Sequence, residues 1–238
     1  MQRWTLRLLL LVAPGLIAYP AAQEPGGSSS AAVLQRYLER PAEALKTYKG
    51  SRRLEAHNER FNVDGWMEVA TSLSEHGFAW HVIEEGGSSY IRNKVLRNTL
   101  KIEADAVTRD DPTKAAVAET NYTFSEAPLD ASVEVPAGLA RFAITPKRED
   151  MLLLDGTVWL ASSDGDLIQV DGRMSKKPSF WTHTVDIVRR YARVTGVRVP
   201  IELTSTAHVR VAGRSTFRMT FQYESVNGKP VETTAGVR

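Results

Sequence analysis

Period two governs most of this chain. Arg53, Glu55, His57 and Glu59 alternate with Leu54, Ala56 and Asn58, the spacing that sends successive side chains to opposite faces of a strand. Met67, Val69, Thr71 and Leu73 then alternate with Trp66, Glu68, Ala70 and Ser72, and Phe78, Trp80 and Val82 alternate with Ala79, His81 and Ile83. Asp64-Gly65 and His76-Gly77 separate these runs and read as turns, so the segment predicts a three-stranded antiparallel meander. Further strand-like runs cover 121–124, 140–146, 151–162, 167–170, 181–194, 201–211 and 215–223. Asp155-Gly156, Asp164-Gly165, Asp171-Gly172 and Asn227-Gly228 bound them as turn signals.

Helical spacing interrupts this pattern in a few places. Residues 31–48 put Leu34, Leu38, Leu45 and Tyr48 on one face, with Pro41 dividing the stretch into two short helices. After Gly86-Gly87, Ser88 or Ser89 can cap a helix. Its apolar stripe is Ile91, Val95, Thr99 and Ile102, flanked by Leu96 and Leu100. Residues 110–118 read as a loop with a short helix. Many strands with few helices predict one α+β domain.

The amino terminus has the order of an export signal. Arg3 and Arg7 precede the short apolar run Leu8–Tyr19, which Pro14-Gly15 interrupts, and small residues follow at Ala21 and Ala22. A bilayer span needs about 20 apolar residues, so we expect cleavage rather than an anchor. The expected organisation is a signal peptide over 1–22, a flexible linker over 23–30, a single domain over 31–228 and a tail over 229–238. The expected location is the periplasm or the extracellular space, with no transmembrane anchor. Removing residues 1–22 takes away both surplus positive charges and leaves acidic and basic residues equal in number. That argues against a nucleic-acid partner, which clustered excess Lys and Arg would serve. The chain has no cysteine, which excludes disulfides, thiolate ligands and a cysteine nucleophile.

Catalytic signatures are missing from the sequence. His57, His76, His81, His183 and His208 are scattered without metal spacing, and no G-x-S-x-G elbow occurs. Asp164-Gly165-Asp166 reads as a hairpin turn and Glu84-Glu85 as a solvated strand end. Asn121-Tyr122-Thr123 is a glycosylation sequon. Arg189, Arg190, Arg193 and Arg198 read as a solvated face opposite acids. The expectation is therefore a protein that is not an enzyme and uses no metal or cofactor. What stands out is aromatic: Trp66, Trp80, Trp159, Trp181, Phe61, Phe78, Phe142, Phe180, Phe217 and Phe221 lie mostly on strands. Aromatic strands beneath an amphipathic helix suggest a concave site for an apolar ligand.

The order of segments also carries a family resemblance. Tyr48-Lys49-Gly50-Ser51-Arg52-Arg53-Leu54-Glu55 follows the helical start, the meander ends at Glu85-Gly86-Gly87-Ser88, and Ile91-Arg92-Asn93-Lys94-Val95-Leu96 opens the next helix. Later come Leu154-Asp155-Gly156-Thr157-Val158-Trp159-Leu160, Gln169-Val170-Asp171-Gly172, Pro178-Ser179-Phe180-Trp181 and Val188-Arg189-Arg190-Tyr191. Over about residues 31–226 this resembles the lipoprotein-carrier (LolA/LolB-like) superfamily, especially its outer-membrane lipoprotein-sorting-like branch. The resemblance implies an incomplete antiparallel β-barrel, a highly curved sheet whose hydrophobic concave face is covered by a few helices and holds acyl chains. It also implies a gating arginine, for which Arg52 and Arg53 fall in the right region. Lacking a cysteine after the signal, the chain departs from the membrane-anchored receptor type.

The expected function is a soluble exported binder or carrier of lipid acyl chains, or of a lipoprotein's. The alternative is an envelope protein–protein interaction or sensor module with a filled cavity, and a hydrolase is the distant alternative. The expected cleft is Met67, Val69 and Leu73 on one strand, Phe78, Trp80 and Val82 on the next, and Ile91, Val95 and Ile102 on the covering helix.

Overall fold

The computed structural model describes residues 29–40, 43–109, 112–127, 134–177 and 182–232. The expected signal peptide, most of the linker, and the Pro178-Ser179-Phe180-Trp181 motif lie outside the described residues. Helix α1 (Ser30–Glu39) begins where the Ser29 hydroxyl accepts a hydrogen bond from the Ala32 amide. The strands β1 (Tyr48–Asn58), β2 (Val63–Ser74) and β3 (Gly77–Gly87) form the expected meander. A helical cap follows, made of α2 (Ser89–Ile91), a π-helical turn (Arg92–Leu96) and α3 (Arg97–Arg109). A 3-10 turn (Pro112–Ala115) leads into β4 (Tyr122–Glu126), β5 (Leu139–Pro146), β6 (Leu154–Ala161) and β7 (Leu167–Met174). The long strands β8 (Thr182–Val194), β9 (Val197–Val209) and β10 (Gly213–Val226) and the short β11 (Lys229–Pro230) complete the described chain.

All strands of the described residues belong to one antiparallel sheet, ordered β3-β2-β1-β10-β9-β8-β7-β6-β5-β4, with β11 on β10. The sheet is curved but not closed, because β3 and β4 end the path without pairing to each other. This is the expected α+β incomplete barrel. The pairing of β1 with β10 brings the two ends of the described chain together in mid-sheet.

Paired residues share a face, so the registers identify what looks inward. One row crosses ten strands as Glu85, Met67, Leu54, Met219, Leu203, Arg189, Val170, Val158, Phe142 and Glu126. Six of its members are buried core residues. The core divides along this face. Val33 and Tyr37 of α1 pack on Phe142, Ile144, Val158, Leu160 and Val170 of β5–β7, and Ile91, Leu96 and Leu100 of the cap pack on Leu54, Met67, Val69 and Met219.

Three turn assignments and one helix differ from the sequence reading. Asp64-Gly65 lies inside β2, and the β1–β2 turn is 59–62, where Asn62 takes φ 47°. Asp155-Gly156 and Asp171-Gly172 likewise lie inside β6 and β7, with Gly156 directly opposite Gly172. These glycines serve close backbone approach rather than turning. A Cβ on Gly156 would run into the Asp171 carbonyl, and one on Gly65 would stand 2.9 Å from the Ile91 side chain. The second helix expected after Pro41 does not form over the described residues 43–47. Asn227 takes over their backbone instead. Its Oδ1 accepts from the Lys46 and Thr47 amides at 2.8 and 3.1 Å, and its Nδ2 donates to the Ala44 carbonyl at 2.9 Å.

Because the Gly156 collision is with backbone, no side-chain rotation relieves it. Gly156→Ala should therefore destabilise the protein by about 1–3 kcal/mol, the range for overpacking, measured by urea unfolding.

Candidate functional site

The cap sits where it does because a π turn shifts its apolar stripe. At 3.6 residues per turn the inward positions after Ile91 would be Val95 and Ile102. The π turn over Arg92–Leu96 adds one residue to the spiral, so the buried positions become Ile91, Leu96 and Leu100. Ile102 is thereby turned to solvent, 61% exposed, and leaves the expected cleft. Glu103, three residues past Leu100, points inward in its place.

The other expected site residues do come together. Met67, Val69 and Ile91 are buried in one cluster, and Phe78, Trp80, Val82 and Val95 pack against it half-buried. Leu73 belongs to a neighbouring cluster with Tyr48, Val197, Val199 and Val226, which Phe78 also touches. The cap thus fills the ground directly beneath it. Gly65 is the small residue that admits Ile91, and Ser88 caps the helix by accepting from the Ile91 amide at 3.4 Å.

Charged contacts fasten the cap to the sheet. Arg52 stands on the inner face of β1, buried, and both its terminal nitrogens donate to Glu103 of α3, at 2.6 and 2.9 Å. It also donates to the Tyr48 hydroxyl. Its guanidinium lies 4.8 Å from the Phe78 ring centre and 4.6 Å from that of Phe221, within cation–π range. Burial works to lower the Arg52 pKa, but the hydrogen bonds and charge of Glu103 outweigh it, so the group stays charged. Burial also raises the neighbouring Tyr48 and Tyr223. Glu85 makes the second anchor, with Arg92 at 2.6 Å and Arg97 at 2.7 Å. The Arg97 hydrogen bond, joined by the charges of both arginines, holds the Glu85 carboxyl below the usual carboxylate range. The sequence reading of Glu84-Glu85 as a solvated strand end is corrected here for Glu85.

Between cap and α1 the inner face is barer. The main helix–sheet contacts fall on β1–β3 and on β6. The inward residues Ile187 of β8, Leu203 and Ser205 of β9, and Phe217 and Phe221 of β10 are half-buried. This trough ends near a recess of about 460 Å³ beside α1, lined by Tyr37, Leu38, Val117, Leu167 and Tyr191 with Arg40, Arg193 and Arg198. Sequence reasoning missed Ile187, Leu203 and Ser205 as site residues, although their period-two spacing was legible. A larger recess of about 790 Å³ opens where β7 and β8 part and is bordered by Asp155, Asp171, Arg173, Lys177, His183 and Asp186. No group of three or more His, Cys, Asp and Glu among the described residues is arranged to hold a metal. Asn121, only 3% exposed, donates through Nδ2 to the carbonyls of Thr113 and Ala116 at 2.7 Å, so the folded chain hides the sequon nitrogen.

No protein-family model matches the chain, and no curated protein does. Among solved structures, a LolA superfamily protein from Nitrosomonas europaea aligns with 81% of this chain and 91% of its own at 8% identity, with a TM-score of 0.35. Among the described residues, no helix is long and apolar enough to cross a membrane.

Glu103 is one-third exposed while Arg52 is buried, so removing the acid strands a guanidinium on an apolar face. Glu103→Leu should cost about 2–3 kcal/mol, near the low end for breaking a buried pair. Arg52→Met combined with Glu103→Leu should recover most of that loss, as read from urea unfolding of the four proteins in the cycle.

Proposed function

We propose that this chain binds the acyl chain of a lipid or lipoprotein along the inner face of its sheet, as a carrier or binder rather than an enzyme. The observation that carries this reading is the half-buried apolar trough of Ile187, Leu203, Phe217 and Phe221 between two helical elements. Ser205 and Ala56 flank Phe217 in the same cross-strand row, and Gly172 lies beyond Ile187. Small side chains next to large ones leave a furrow on a curved sheet. An acyl chain gains about 0.8 kcal/mol for each CH₂ it buries, so even part of a sixteen-carbon chain supplies substantial affinity.

The cap suits a cover that moves. It rests on three buried apolar side chains, Ile91, Leu96 and Leu100, and is tied at its edges by Arg52–Glu103 and by Glu85 with Arg92 and Arg97. Its outer side carries the exposed Ile102 and Val107. The export signal read in the sequence agrees with a role in the cell envelope, with a lipid or lipoprotein as cargo. The family resemblance in the segment order supports the same class of ligand.

Ser205→Trp tests the reading because the two states of the trough respond oppositely. If the trough is the ligand seat, an indole fills it: uptake of a neutral fluorescent acyl probe should fall at least tenfold while the thermal melt stays cooperative and within a few degrees. In a filled interior the same change overpacks and costs about 1–3 kcal/mol. A lowered melting temperature, or probe uptake unchanged, would contradict the proposal.

A further inference from the structure

The four arginines near the end of β8 do not share one fate. Arg190 pairs with Glu202 at 2.8 Å, Arg193 with Asp166 at 2.7 Å, and Arg198 with Asp166 at 3.7 Å. These three face acids, as the sequence predicts. Arg189 does not belong with them. Its register partners are Leu203 on one side and Val170 on the other, so it stands in the inward row, in the middle of the concave face, half-buried. Among the described residues no carboxylate lies within ion-pair distance of it. Tyr191 acts on it most strongly, and with Tyr122 and the charge of Glu103 it raises the Arg189 pKa against the opposing effect of burial. Glu103, however, is already held by both terminal nitrogens of Arg52.

Arg52 and Arg189 thus share the influence of one carboxylate, Glu103, and only Arg52 is paired with it. The Arg189 guanidinium, half-buried beside Leu203, Val170 and Ile187, has given up part of its hydration and has no carboxylate of its own, so an anionic ligand would complete it. Its planar fork of donors matches a carboxylate or a phosphate in two parallel hydrogen bonds. The Tyr191 hydroxyl beside it offers a further donor, and the burial-raised Tyr122 stays protonated at neutral pH.

From this placement we infer that Arg189 is the seat for the anionic head of the ligand, so that the cargo is an amphiphile ending in a carboxylate or phosphate, with its chain along the Leu203–Phe217 trough. The inference rests on the acyl-binding reading above and narrows it from any acyl chain to an acidic one. The head then lies at mid-sheet on β8, and the chain runs from it across β9 toward Phe217 of β10.

The test compares palmitate with hexadecanol, two sixteen-carbon chains that differ in head charge, each displacing a neutral fluorescent acyl probe from the intact protein at pH 7.5. Palmitate should bind about tenfold tighter or more, the scale of a charge-assisted hydrogen-bonded pair. Arg189→Gln should bring palmitate within about twofold of hexadecanol and leave hexadecanol unchanged. Arg189→Lys should retain part of the preference. Equal binding of the two ligands by the unaltered protein would overturn the head-group inference while leaving the acyl reading intact, and needs no variant to be folded. Failure of both ligands to bind would overturn the acyl reading and this inference with it. Inorganic phosphate alone displacing the probe as well as palmitate does would make Arg189 a small-anion site and overturn the amphiphile claim.

Discussion

A single antiparallel sheet with one apolar face must cover that face or lose the folding energy invested in it, and the described residues form no second sheet for the purpose. Everything else follows from how the cover is made. Ten strands present a continuous inward row from Glu85 on β3 to Glu126 on β4. One helix from the start of the described chain closes over the β5–β7 region, and the cap of Ser89–Arg109 closes over β1–β3. Two short helical elements cannot span ten strands. The strip between them, on β8–β10, is left with large apolar side chains at half burial, and that strip is the seat we propose for a ligand.

The cap is fastened by charge at the place where an entirely apolar contact would have been simpler. Arg52 is buried, and Glu103 of α3 is the carboxylate that balances its charge. A buried ion pair adds little net stability over packed apolar residues, so its value here is positional. It fixes the cap's azimuth, since only one face of α3 carries a carboxylate at the right height. The π turn sets which face that is. Without the extra residue over Arg92–Leu96, Ile102 would approach the sheet and Glu103 would turn away, leaving Arg52 unpaired. Gly65 completes the arrangement by giving Ile91 room against β2.

Much of the architecture was legible because strand periodicity is local. Alternation from Arg53 to Ile83 gives three strands and their inward faces, and Met67, Val69, Phe78 and Trp80 fall on the side assigned to them. What was misread depends on contacts distant in sequence. Asp64-Gly65, Asp155-Gly156 and Asp171-Gly172 look like turns because Asp-Gly is a turn signal. Their glycines instead meet a helix side chain or a neighbouring strand across the sheet, which a linear reading cannot weigh. Residues 43–47 read as helical by spacing, yet Asn227, far along the chain, takes their backbone groups. Ile102 was placed in the cleft by a period of 3.6 that the π turn breaks. Arg189 looked like its neighbours in sequence, and only the pairing of β8 with both β7 and β9 shows that it faces inward.

The central claim is that a chain-like ligand lies on the inner face over β8–β10. The most direct measurement is paramagnetic broadening by a nitroxide-labelled stearic acid, followed in the NMR spectrum of the isotope-labelled protein. The account predicts selective loss of signal from the Met219 methyl and from the amides of Ile187, Leu203 and Phe217, with Met151 and Phe61, which are solvent-exposed and lie outside the inner-face clusters, remaining sharp. Broadening confined to Met151, Phe61 or other exposed positions, or no broadening at saturating ligand, would contradict it.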